Sequence, residues 1–217
     1  MSLKGFFLCF RKIISLVLLL MILSCSENSP EIAEIKSLAV LDFDDPYSSA
    51  DVSFAVFAEV TGDVRRAERM VITHKEKQYK WTAINPCVFS DGKKEFAAAV
   101  MLKAPFGEKI PNGEYSVEYA DAAGQTVCSD LFVSIDSDAY KMSFDAAQKA
   151  VENLDNSIAV FDSDSMIYFG SRKKKWVTDE NIFEEYPYSE FFRECYLLKD
   201  KNIAILMPLK VSSRNWF

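Results

Sequence analysis

The chain has 217 residues, with 25 Lys and Arg against 32 Asp and Glu, for a formal charge of −7. That acidity argues against nucleic acid, whose phosphates need clustered cations, and against purely electrostatic attachment to anionic lipid. The length is that of one domain, or one domain with a subdomain, and a hydrophobic content of 49% is enough for a real core.

The first 24 residues read as an export signal. Lys4, Arg11 and Lys12 make a basic start, and Ile13 to Leu23 form an apolar run interrupted by Ser15. The run is too short to span a bilayer, which takes about 20 residues, and has the length of a signal-peptide core. Ile22-Leu23-Ser24-Cys25 follows, and this stretch resembles the lipobox of bacterial lipoproteins, in the relaxed form seen in spirochaetal ones. The resemblance implies cleavage before Cys25, acylation of that cysteine and a membrane anchor. Two or more acyl chains give stable anchoring where one gives marginal binding. Ser26 after the cysteine, read by rules resembling those of enteric lipoproteins, points to the outer membrane of the cell envelope. Residues 25–35 are expected to be a tether. Removing residues 1–24, which hold three basic and no acidic residues, leaves 193 residues with a formal charge of −10.

Residues 36–137 read as strand after strand. Apolar and polar positions alternate through Val52–Val60, Phe96–Leu102, Tyr115–Tyr119 and Val127–Ile135, the period of a half-buried strand. Less regular runs lie at Leu38–Phe43, Met70–His74 and Tyr79–Ile84. Turn residues separate them: Asp44-Asp45-Pro46, Thr61-Gly62-Asp63, Ser90-Asp91-Gly92, Pro111-Asn112-Gly113 and Ala123-Gly124. Seven short strands at this spacing predict an antiparallel β-sandwich. The stretch Ile110-Pro-Asn-Gly-Glu-Tyr115-Ser-Val-Glu-Tyr119 resembles the entry to a late strand of immunoglobulin-like and fibronectin-type domains. The resemblance implies that Tyr115 bonds back to backbone upstream.

Residues 138–217 change character and are expected to form a small α/β region. Ser143–Leu154 reads as a helix capped by Ser143 or Asp145, with Phe144, Ala147, Ala150, Val151 and Leu154 on one face. Ser157–Phe161 and Met166–Phe169 read as a hairpin. Ser189–Leu198, led by Pro187, reads as a second short helix, and Ile203–Val211 as a last strand.

Little in the chain points to chemistry. The sole histidine, His74, is expected on a strand surface, and one histidine rules out a multi-histidine metal site. Of the cysteines left after export and acylation, Cys87 and Cys128 are the pair most suited to a disulfide. The alternative is three reduced, buried thiols, with Cys195 the third. Acidic groups at Asp42, Asp44 and Asp45, at Asp136 and Asp138, and at Asp162 and Asp164 read as solvated turn residues rather than a calcium site. The basic run Arg172-Lys173-Lys174-Lys175 reads as charge on a strand edge, with a phospholipid headgroup or an acidic partner as the other reading. Aromatics crowd the C-terminal region. No nucleophile elbow, phosphate loop, dinucleotide fingerprint or zinc-protease motif occurs, so neither a cofactor nor a metal is expected. The expectation is a non-catalytic, lipid-anchored module that binds an envelope or host protein. A carrier of a small apolar ligand and a hydrolase of envelope polymers, using paired carboxylates, are the alternatives.

Overall fold

The computed structural model describes residues 29–209, apart from 78, 92, 93 and 164. The expected signal peptide and Cys25 therefore lie outside the described residues, as do Trp216 and Phe217. The fold is mainly β. Twelve strands are formed among the described residues: β1 (Ile32–Asp42), β2 (Asp51–Val60), β3 (Ala67–His74), β4 (Lys80–Ile84), β5 (Cys87–Ser90), β6 (Glu95–Leu102), β7 (Gly113–Asp121), β8 (Thr126–Val133), β9 (Ser157–Asp162), β10 (Ser165–Ser171), β11 (Phe191–Leu198) and β12 (Ile203–Leu206). Two short helices accompany them, α1 (Phe144–Val151) and α2 (Glu180–Glu185).

Eight strands close into a barrel in the order β1-β12-β11-β9-β10-β5-β6-β2, and the other four form a sheet ordered β4-β3-β7-β8. The closed barrel replaces one sheet of the expected two-sheet sandwich. It also draws strands from both sides of residue 138. Its N-terminal half is β1, β2, β6 and β5, and its C-terminal half is β9, β10, β11 and β12. Within each half every pairing is antiparallel. The halves meet at two parallel seams. One pairs Ala39–Asp42 of β1 with Ile203–Leu206 of β12; the other pairs Tyr168–Gly170 of β10 with Val88–Ser90 of β5.

Strand alternation explains how one set of strands serves two cores. In β2, Phe54, Val56 and Ala58 face the four-stranded sheet, and Ala55 and Phe57 face the barrel interior. β1 does the same, with Ala39 and Leu41 on one side and Val40 on the other. Between the sheets, Phe54 meets Trp81 and Tyr115 at ring-centroid distances of 5.1 and 5.7 Å. Inside the barrel, Phe57, Phe89 and Phe169 pack together at 4.5 to 6.1 Å. Aligned, aromatic-rich packing of this kind supplies most of the favourable burial in a small β domain.

Local expectations fare unevenly. Tyr115 Oη donates to the Pro111 carbonyl at 2.6 Å, which pins the start of β7 to the turn before it. Ser143 caps α1 by accepting from the Ala146 amide, and Ala147 and Val151 join the inter-sheet core. The helix ends at Val151, leaving Ala150 and Leu154 exposed. β1 begins at Ile32, so the last four residues of the expected tether are strand. Ser189–Leu198 is not helical. Phe191–Leu198 is a strand held between β9 and β12, and the second helix lies earlier, at Glu180–Glu185. β11 is covered on both faces, Cys195 inside the barrel and Phe192 under α2. That removes the alternation that marks a strand in sequence.

Candidate functional site

The cysteines do not pair as expected. Cys87 is buried in the barrel interior, whereas Cys128 is exposed on β8 of the other sheet, and all three described cysteines are free. Cys87 and Cys195 both line the barrel core. Burial pushes the Cys87 thiol up to about 12 and raises that of Cys195 well above its ordinary value. Both act as small apolar side chains.

His74 is not on the surface. It is buried at the end of β3, where Nδ1 accepts the backbone amides of Glu76 and Lys77 at 3.2 and 3.1 Å. That leaves Nε2 to carry the proton, facing the Asn112 carbonyl at 3.4 Å. The imidazole thus caps the β3–β4 turn. Gly113, at φ +146°, lets the neighbouring chain pass, since a Cβ there would stand 3.0 Å from Nε2.

Among the described residues, which leave out Asp164, the acidic groups do not converge. Asp45 accepts amides of its own turn from Tyr47 and Ser48, and Asp136 accepts that of Asp138. Asp42 is buried and bonded to Arg193 at 2.5 Å. The same guanidinium donates to the Phe43 carbonyl at 3.0 Å and the Met207 carbonyl at 2.8 Å. Arg193, on β11, therefore clasps the ends of β1 and β12, the two strands of the first parallel seam. Sequence could not reveal this pair, whose partners stand 151 positions apart. Among the described residues no three His, Cys, Asp or Glu side chains group closely enough to hold a metal. Asp63, Glu180 and Glu185 are held below the usual carboxylate range, the opposite of what a general acid needs.

The barrel interior is filled with side chains from all eight strands, as expected for a barrel of this size. Most of the described C-terminal aromatics are spent in the same way, although Tyr188 stands 81% exposed. Phe161 and Phe169 face inward, and Tyr168, Trp176 and Phe192 pack beneath α2 on the barrel's outer wall. Two open clefts flank α1, of about 480 and 440 Å³.

The basic run is folded back onto the protein. Glu185 of α2 accepts from Lys173 and Trp176 Nε1, both at 2.7 Å, and pairs with Lys175 at 2.8 Å. Partial burial works against the Glu185 carboxylate, and these three donors outweigh it and keep it ionised. Lys173 Nζ also stands 4.9 Å from the Tyr168 and Trp176 ring centroids and 5.6 Å from that of Tyr186. Arg172 pairs with Asp179 at 2.9 Å.

The described residues leave one broad face uncovered, the outer side of the β4-β3-β7-β8 sheet. Cross-strand register places Thr82, Val71, Glu118 and Cys128 in one row, and Lys80, Thr73, Ser116 and Asp130 in the next. Ile84 and Phe132 stand out from the two edge strands at 63% and 66% exposure. The Arg69–Glu118 and Lys75–Asp130 pairs lie among them. Sequence alternation marked the outward positions of β7 and β8, whereas β3 and β4 read only as less regular runs; it could not tell that no other described element covers this face. No helix among the described residues is long and apolar enough to cross a membrane. No known protein family, curated protein or solved structure matches the chain.

Proposed function

We propose that this chain is a non-catalytic binding module, exported and held at the envelope membrane by acylated Cys25, that docks a protein partner on the outer face of its four-stranded sheet. The observation that carries the reading is that face itself. It is a mixed polar and charged β surface, crossed by the Arg69–Glu118 and Lys75–Asp130 pairs and bearing Ile84 and Phe132 on its two edge strands, set on a scaffold whose other sheet faces are engaged in packing. A broad open face that mixes apolar, polar and paired charged side chains has the make-up of a non-obligate protein contact. An acyl anchor would raise the local concentration of such a face near membrane partners.

The finer fold reading supports it. We read the order β1-β2-β6 facing β4-β3-β7-β8, with Tyr115 tied to Pro111 at the start of β7, as that of a fibronectin-type sandwich. In this reading the first sheet of an immunoglobulin-like sandwich has been extended and closed into a barrel by the C-terminal strands. The outer membrane remains the proposed address, from Ser26.

The test uses the exposed thiol. A photoreactive maleimide placed on Cys128 in cells is expected to give one recurrent cross-linked partner. A folded Thr82→Arg/Ser116→Arg variant is expected to lose it, and Lys149→Glu on α1 to keep it. Intact mass of the purified protein is expected to show a diacyl or triacyl addition that Cys25→Ala lacks. Capture that survives the double arginine variant would overturn the proposed face, and an unmodified Cys25 would overturn the anchor.

A further inference from the structure

Around Lys173 the barrel wall and α2 build a site with the composition of a cation box. Three rings, those of Tyr168, Trp176 and Tyr186, stand within 6 Å of one ammonium nitrogen, and the Glu185 carboxylate touches it. Rings at this reach, backed by a carboxylate, are what recognises a quaternary ammonium. Tyr168 and Trp176 are buried and locked edge to face at 5.1 Å, so the box is set by the core and does not depend on its occupant for shape.

Its occupant comes from the edge of the core. Lys173 belongs to the connection between β10 and α2, in a turn closed by the Trp176 amide on its carbonyl, and a quarter of its side chain stays in solvent. A primary ammonium is strongly hydrated and gives up much of that hydration here. A trimethylammonium donates no hydrogen bonds, is more weakly hydrated, and keeps the attraction to the rings and to Glu185. Were Lys173 to leave, Glu185 would stay paired with Lys175 and bonded to Trp176. Lys175, 2.8 Å from Glu185 and about two-thirds exposed, would keep a cation at the rim, with the exposed Lys174 beside it in sequence. A positive group in the box and an anion at the rim describe one zwitterion. We propose that Tyr168, Trp176, Tyr186 and Glu185 form a binding site for a phosphocholine group, closed in the free protein by Lys173.

Isothermal titration of the full chain with phosphocholine, choline and inorganic phosphate tests this. Saturable binding of phosphocholine is expected, weaker binding of choline, and none of phosphate alone. Lys173→Ala, which leaves Glu185 satisfied, is expected to bind phosphocholine more tightly than wild type. Tyr186→Leu is expected to weaken it about fivefold or more, with Tyr186→Phe, which keeps the ring, unchanged. Flotation with phosphatidylcholine and with phosphatidylglycerol vesicles, run on Cys25→Ala to remove any anchor, separates the sources. Retention on phosphatidylcholine assigns a lipid headgroup; soluble binding without retention assigns free phosphocholine. Absence of saturable binding in both wild type and Lys173→Ala would overturn the proposal. Phosphate competing as well as phosphocholine would also overturn it, by showing a plain anion site.

Discussion

Single residues hold this fold at places where the sequence looks ordinary. Arg193 sits between two strand ends and satisfies a carboxylate and two carbonyls at once. Removing one partner of a buried pair leaves an uncompensated charge, which costs about 3–5 kcal/mol. Arg193→Met is expected to lose stability in that range by urea unfolding. A double Asp42→Leu/Arg193→Met variant should recover only part of it, because the Phe43 and Met207 carbonyls stay unpaired. Cysteine reactivity should divide by environment: a thiol reagent is expected to label Cys128 in the native protein, and Cys87 and Cys195 only after denaturation. Glu185 supplies a pH signature. Its carboxyl is held below the ordinary value of 4.5, so its contribution is full above that value and is lost as pH falls through the folded-state one. Glu185→Gln is therefore expected to be less stable than wild type at pH 7, with the gap closing in acid, read from thermal melts across pH.

At the scale of elements, the parallel seams are the demanding pieces. The β10–β5 seam brings Gly170, at φ +149°, against Ser90 so closely that a Cβ would fall 2.1 Å from the Ser90 carbonyl oxygen. Gly170→Ala is expected to cost about 3 kcal/mol from backbone strain and overlap together, seen as a lowered thermal midpoint. A small shift there would mean that the seam yields easily. These seams also mark where sequence reading stops. Strands with one covered face, such as β7 and β8, announce themselves by alternation. β5 is four residues long, too short to show a period, and beyond its hairpin with β6 its other partner lies some eighty positions later; β11 is sheathed on both sides. His74 escaped for a different reason. A strand-end histidine that caps its own turn has no periodic signal, and only the turn geometry shows that its ring points inward. The box around Lys173 was half visible, as a basic run beside aromatics. Its acidic member, Glu185, lies on a helix that sequence placed elsewhere.

As a whole, the molecule has two larger cores sharing one curved sheet, with a third cluster beneath α2. β1, β2 and β6 give one face to the inter-sheet core and the other to the barrel. The open sheet face and the phosphocholine site therefore ride on one body, although they lie in segments that sequence separates at residue 138. That sharing has a cost for any fragment. Residues 29–137 alone would bare Val40, Ala55, Phe57, Phe89 and Phe96 along the inner side of an unclosed sheet, together with two unpaired strand edges, a combination prone to aggregation.

Thermal and urea unfolding of residues 29–137, beside the same chain extended to 209, is the most direct measurement. The expected result is a cooperative transition for the longer chain and none for the shorter, which should bind a hydrophobic dye and self-associate. A cooperative transition in the shorter fragment, with dispersed amide signals, would contradict the shared barrel and restore an independent sandwich with a separate C-terminal unit.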